Sequence, residues 1–386
     1  MAEKNSSKAL ELHSKLKGKI GIAPKFLVRD RKDLSLIYTP GVAEPCMEIA
    51  KDKKLAYKYT MKGNCVAVVT DGSAVLGLGN IGPEAALPVM EGKCLLFRQL
   101  AKIDAFPICL ATQEPEEIIA AVKAIAPVFG GINLEDIAAP NCFYIEERLR
   151  KELGIPIIHD DQRGTSVAVL AALINSLKVT GKSKGNVYAV ISGAGAAGIA
   201  VARTLVKFGI GDLVLVDSKG AIFRGRKEGM NKYKDEISGI TNKKNRKGIL
   251  ADVIKGADLF IGVSAPDLLN AEMVRTMNEP IIFAMANPVP EILPDEAIKG
   301  GASVVATGRS DYNNQINNSL AFPGVFRGAL DSGAREINDG MLFAAAHALA
   351  GLVAKPSKDS ILPYSLDKKV VPCVAKAVYD AVKGLK

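Results

Sequence analysis

The sequence predicts an α/β fold of two domains, and three observations carry that expectation. Apolar runs of strand length recur at 186–192 (NVYAVIS), 213–217 (LVLVD), 257–266 (ADLFIGVSAP), 280–288 (PIIFAMANP) and 302–308 (ASVVATG), with helix-period or polar stretches between them. Runs that are apolar throughout suit strands covered by helices on both faces, which means a doubly wound parallel sheet. The third observation is a Gly-rich turn after the first run and an acid closing the second, the order of a Rossmann-type cofactor unit. That domain is expected over 156–386 with helices at its C-terminal end, and a second α/β domain, for substrate and metal, over 1–155.

Composition narrows the function classes. With 386 residues, 48% apolar and 24% charged, the chain can bury a real core and does not have a disordered composition. The longest mainly apolar stretch, 340–354, falls short of the roughly 20 residues of a membrane span. The charged start MAEKNSSKALELHSKLKGK lacks the apolar centre of a signal peptide. Six cysteines without a CxxC pair speak against structural zinc and a disulfide framework, so a cytoplasmic location is expected. Of the net charge of +9, +7 sits in residues 219–248, where ten Lys/Arg face three acids. A charge so confined does not describe a nucleic-acid surface. It reads as a solvated basic loop, or as part of whatever site lies just before it.

What lies before it is Gly193-Ala194-Gly195-Ala196-Ala197-Gly198, placed between a strand and a helix-period segment that Gly209 closes. A lone GxGxxG is weak evidence, but here the following strand also ends in Asp217, at about the expected 20-residue distance. The pattern asks Gly193 for a tight turn, Gly195 for close approach of a pyrophosphate, and Gly198 for close packing of helix on strand. Asp217, Ser218 and Lys219 would then meet the adenine ribose. Ser264 and Asn287 fall at the carboxyl ends of later strands, where ligands of such sheets collect, with Asn287 on the nicotinamide side.

In the first half, polar residues again follow apolar elements, as in a cleft wall. Tyr38-Thr39-Pro40-Gly41 makes a turn before a helix, NCVAVVTDGSAVLGLGN reads as strand and Gly-rich loop, and Glu135 and Asp136 follow an apolar strand. The segment IPIIHDDQRGTS adds Asp160 and Asp161 at the joint of the two domains. Glu135, Asp136 and Asp161, without His or Cys partners, suit a hard cation, Mg²⁺ or Mn²⁺. Asp160 is expected to orient its neighbours or to cap a helix starting near Thr165.

Together, YTPGVAEPC, VVTDGSAVLGLGNIGPEAALPVMEGK, GGINLEDI, IIHDDQRGTS, ISGAGAAG, MANPVPE and NNSLAFPGVFRGAL resemble the malic enzymes, in particular their short form. The resemblance implies oxidative decarboxylation of malate to pyruvate and CO₂ with NAD(P)⁺ and a divalent metal. It implies Lys93 as general base, Tyr38 as general acid, and Glu135, Asp136 and Asp161 as metal ligands. Asn287, Asn317 and Asn318 take the substrate and nicotinamide contacts. Lys93 can remove the C2 hydroxyl proton only if its pKa is lowered by its surroundings. One departure stands out: larger malic enzymes carry an arginine for a substrate carboxylate within the segment aligned to DGSAVLGLG, and this chain has Ala74. Ser73, Arg163 and Asn318 are the candidates to replace it.

Asp217 favours NAD, while Ser218, Lys219, Arg224 and the basic segment favour NADP, and the balance is read as NADP. A homodimer is expected from the resemblance and from the apolar helices near the termini. No nucleic-acid or membrane partner is expected. Two other readings predict different outcomes. A 2-hydroxy-acid dehydrogenase or malolactic-type catalyst on the same fold would yield oxaloacetate or lactate. A dinucleotide-sensing module would bind cofactor without turnover.

Overall fold

A computed structural model describes residues 2–75 and 77–384, with side chains from residue 8 onward. Two parallel sheets organise it. The first has the order β2-β1-β3-β4, with β1 Cys65–Thr70, β2 Asp104–Cys109, β3 Gly131–Leu134 and β4 Ile157–His159. The second has the order β10-β9-β8-β5-β6-β7, with β5 Tyr188–Ser192, β6 Asp212–Asp217, β7 Gly220–Ala221, β8 Leu259–Gly262, β9 Ile281–Ala284 and β10 Val304–Thr307. Among the described strands of the two sheets, only the two-residue β7 runs antiparallel. The five apolar runs thus become β5, β6, β8, β9 and β10, and in the central ones every residue is buried.

β2 lacks the continuous apolar pattern of those five strands and contains Pro107. A proline removes one ladder donor, and β2 tolerates it because it is the edge strand. The chain leaves the first sheet only at His159, since β4 pairs with β3 in register Ile132 with Ile157 through Leu134 with His159. The helix expected near Thr165 begins earlier and spans Asp160–Thr180. Two carboxylates in its first turn complement the helix dipole there.

The C-terminal helices return to the first sheet. Phe322–Ser332 sets Phe322 and Phe326 edge-on against Phe97 of helix Pro83–Ala101, with ring centroids 4.7 and 5.4 Å apart. It also packs tightly on helix Val370–Lys383. A Cβ on Gly324 would lie 2.6 Å from Val374 Cβ, and one on Gly328 2.4 Å from the Ala375 carbonyl. This packing fixes Phe322 beside Lys93 and so helps to build the cleft.

The N-terminal segment differs from everything after it. Among the described side chains of residues 8–64 none is buried, and Leu10, Ile22, Leu27, Leu36 and Met47 lie mostly open to solvent. No helix among the described residues is long and apolar enough to cross a membrane, and all six cysteines are free.

Candidate active site

The cleft forms where β3 and β4 end side by side. β3 delivers Glu135 and Asp136, and β4 delivers Asp160 and Asp161 at the start of the following helix. Asp136 adopts a left-handed backbone, φ 52°, unusual for a residue with a side chain. Its N–H donates to Asp161 Oδ2 at 3.1 Å, and its carbonyl accepts from the Ala74 N–H at 2.9 Å. The loop carrying Ala74 is therefore fastened to the acidic turn by main chain. One carboxylate oxygen each of Glu135, Asp136 and Asp161 lies within 4.8 Å of the other two. Oxygens bound to a common Mg²⁺, Mn²⁺ or Ca²⁺ at 2.0–2.6 Å span at most about 5 Å, so the three can share one cation. Asn133 Nδ2 holds the far oxygen of Glu135 at 2.8 Å.

Lys93 projects into this cluster from helix Pro83–Ala101. Its Nζ lies 2.5 Å from Asp160 Oδ2, 2.9 Å from Glu135 Oε1 and 4.3 Å from the centre of the Phe322 ring. The expected lowering of the Lys93 pKa does not occur with these neighbours alone. Burial does push it down, but the Asp160 and Glu135 carboxylates push it up further, and the ammonium is held well above its ordinary range. Burial also raises the pKa values of Glu135 and Asp160, against the pull of Lys93. Asp160 is not a cap: His159 occupies the N-cap and makes no side-chain cap bond.

Gly164, one turn further, lies beneath Asp160. A Cβ there would meet Asp160 Oδ1 at 1.8 Å and Asn318 Cβ at 3.2 Å. Asn318 therefore borders the cleft. Gly164→Ala should favour helix by up to about 1 kcal/mol, yet it must displace Asp160 from Lys93. A fall in kcat of about 100-fold is expected. A variant with wild-type steady-state kinetics would show that Asp160 does not position Lys93.

Other residues named from sequence are placed elsewhere. Arg163 donates to Glu146 at 3.1 Å and to Asp339 at 2.8 Å, on a side lined by neither Lys93 nor the three-carboxylate group. Ser73 Oγ donates to Asp71 at 2.6 Å and accepts from the Ala138 N–H at 2.8 Å. The Asn317 side chain accepts from the Ser319 N–H and caps a short turn. Tyr38 is 65% exposed and ends the helix Arg31–Ile37.

In the second sheet, Gly193 has φ 110° and Gly198 packs so closely that an added Cβ would lie 1.9 Å from the Gly193 carbonyl. Gly195 begins the helix Ala196–Phe208 facing open space, with nothing within 4 Å of an added Cβ. Asp217 is more committed than its position suggested. Oδ1 accepts from the Lys219 N–H at 2.9 Å and Arg226 Nη1 at 2.8 Å, and Oδ2 accepts from Arg226 Nη2 at 2.5 Å and Lys234 Nζ at 2.7 Å. Partial burial raises its pKa, but these bonds outweigh that and lower it to about 2. Ser218 is exposed, Lys219 Nζ pairs with Glu228, and Arg224 donates to the Gly239 carbonyl.

At the ends of β8 and β9, the fully buried Glu291 accepts from the N–H groups of Ser264 and Ala286 at 2.9 and 3.1 Å. It thereby ties Ser264 to the loop carrying Asn287. That loop meets the first domain, because a Cβ on Gly77 would lie 2.2 Å from the Asn287 carbonyl. Neither Glu291 nor Phe322 was singled out from sequence. Glu291 stands within the MANPVPE motif, but only the fold shows that its side chain turns inward.

Residues 17–150 match the profile of the malic enzyme N-terminal domain, and residues 162–382 that of the malic enzyme NAD-binding domain. The chain is 57% identical to a bifunctional malic/malolactic enzyme of Bacillus subtilis, covering 97% of this chain and 92% of the relative. It is 55% identical to an NAD-dependent malic enzyme of Geobacillus stearothermophilus, covering 94% and 76%. An NADP-dependent malic enzyme of Escherichia coli is 46% identical and is matched over 53% of its length and 99% of this chain. Among solved structures, the NAD-dependent malic enzyme of Thermotoga maritima superposes with a TM-score of 0.93 at 50% identity, covering 97% of this chain and 99% of that one.

Proposed function

Because the chain belongs to the malic enzyme family, whose matched relatives use NAD or NADP, we propose that it oxidises and decarboxylates malate to pyruvate at the cleft between its two sheets. The observation that carries this reading is the convergence of three carboxylates able to share a cation with a buried lysine fixed by a fourth. Glu135, Asp136 and Asp161 would hold Mg²⁺ or Mn²⁺. Such a cation would supply Lewis acidity at the C2 oxygen and offset the Glu135 and Asp161 share of the negative charge that keeps Lys93 protonated. Lys93 Nζ takes the C2 hydroxyl proton, and Asp160 keeps that nitrogen in place. The dinucleotide, the hydride acceptor, would rest on Gly193–Gly198, with Ser264 and Asn287 towards its nicotinamide end. Of the three groups considered in place of the missing arginine, Asn318 alone borders the cleft without the competing ties of Ser73 and Arg163.

Incubation with malate, Mn²⁺ and NAD(P)⁺ should yield pyruvate and reduced cofactor in equal amounts. Lactate as main product, without net cofactor reduction, would instead favour the malolactic reading, which the B. subtilis relative keeps in play.

The cofactor reading is NADP. A carboxylate offers about four acceptor positions, and those of Asp217 are all taken. A ribose 2′-OH would have to displace one of these bonds. Asp217 with Arg226 and Lys234 carries a net charge of +1, which suits a 2′-phosphate, with Lys219 and Ser218 beside it. A kcat/KM at least about tenfold higher with NADP⁺ is expected, equivalent to about 1.4 kcal/mol. A preference for NAD⁺ would reverse this assignment.

The reading includes a homodimer. Residues 8–64 bury no side chain among those described, and a second copy is the partner that would cover their apolar groups. Tyr38, exposed in its own chain, would then act as general acid in the cleft of the partner. Tyr38→Phe and Lys93→Ala enzymes, each inactive, should regain activity on subunit exchange, with about a quarter of the sites intact. No recovery in demonstrated mixed dimers would place Tyr38 and Lys93 in the same chain's site.

A further inference from the structure

A second cavity, of about 350 Å³, lies behind the cleft between helices Asp160–Thr180, Ala196–Phe208 and Asp339–Gly351. Neither Lys93 nor any of Glu135, Asp136, Asp160 and Asp161 lines it. Four cations do, Arg150, Arg163, Arg203 and Lys207, against the single carboxylate Asp339.

These cations are not equally satisfied. Arg163 is held by Glu146 and Asp339, and Lys207 by Asp339. Arg203 pairs with Glu236, which is 46% exposed, and lies over the Phe143 and Tyr233 rings; Arg150 donates to the Ile337 carbonyl at 3.0 Å, and its carboxylate neighbour Glu336, 3.8 Å away, is 58% exposed. Ion pairs so open to water contribute little and yield readily to a better anion. Among the described residues, Gln162 Nε2 and Arg150 Nε have no acceptor, and both atoms sit just beneath the cavity lining rather than on its surface. Leu170, Leu342 and Phe343 give the cavity an apolar wall, and its volume is that of a small-molecule site.

We propose that this cavity binds a small organic anion, a carboxylate or phosphate on a short apolar body, and that its occupancy regulates the cleft. The link is physical. Gln162 and Arg163 line the cavity from the same helical turn that carries Asp160 against Lys93 and Asp161 among the three carboxylates. Drawing Gln162 or Arg163 towards a bound anion shifts that turn as a unit.

The test uses full-length enzyme with succinate as the carboxylate probe and inorganic phosphate as the phosphate probe. Calorimetry should show saturable binding of at least one probe with Kd of about 1 mM or tighter. The same probe should change KM for malate or kcat by about threefold or more, a coupling of the usual size for linked sites. Arg203→Gln removes a cation, and Ala200→Met fills the cavity without changing charge. Each should abolish both binding and the kinetic change, while leaving turnover without probe intact. No binding, binding that survives both substitutions, or binding with no kinetic change overturns the proposal. Binding in the catalytic cleft itself would survive both substitutions, so failure here is separable from failure of the malate reading.

Discussion

Lys93→Ala is expected to abolish malate turnover and to destabilise the fold as well. Loss of a positioned general base costs about 10²–10⁴ in rate. The structural cost arises because Nζ is the shared cation of Asp160 and Glu135, both buried. Taking one partner from a buried ion pair costs about 3–5 kcal/mol, since the remaining charge is left uncompensated. An inactive Lys93→Ala enzyme therefore cannot by itself separate chemistry from folding. Lys93→Arg does so: it keeps the positive charge among the carboxylates, but a guanidinium does not surrender its proton. It should regain most of the lost stability in denaturant unfolding while kcat stays at least about 100-fold down. An active Lys93→Arg enzyme would show that charge, and not proton transfer, is what the cleft requires of position 93.

The parts of the molecule legible in the sequence were those governed by local pattern. The apolar runs at β5, β6, β8, β9 and β10 announced a parallel sheet because burial on both faces leaves no room for alternation. Glu135, Asp136 and Asp161 stood out because each follows an apolar element, and adjacent parallel strands bring such ends together. What escaped was set by contacts between distant segments. The commitment of Asp217 to Arg226 and Lys234 depends on how the basic loop folds back. Arg163 seemed available to substrate until Glu146 and Asp339, from two other helices, were seen to hold it. The electrostatics of Lys93 also needed the fold. A buried lysine suggests a lowered pKa, and only the positions of Asp160 and Glu135 reverse the sign.

Asp161→Asn tests the metal site through stability, independently of turnover. One oxygen each of three carboxylates lies within 4.8 Å of the other two, with Lys93 bonded to Glu135, so without a cation their charges repel. At an effective dielectric of about 20, each such pair repels by about 3 kcal/mol. Asp161 feels less than this, because its side chain is 32% exposed to water and the Lys93 ammonium attracts it. Asparagine removes that repulsion and keeps an oxygen to accept from the Asp136 N–H. The metal-free variant should therefore melt at or above the wild-type temperature, a rare result for a substitution at an active site. Mn²⁺ at 100 times its Kd should stabilise the wild type by about 2.7 kcal/mol. The variant should lose most of that response and most of its turnover together. An unchanged Mn²⁺ response would remove Asp161 from the ligand set. A variant clearly less stable without metal would mean that Asp161 is there chiefly to hold the Asp136 turn, leaving its negative charge without the role proposed for it.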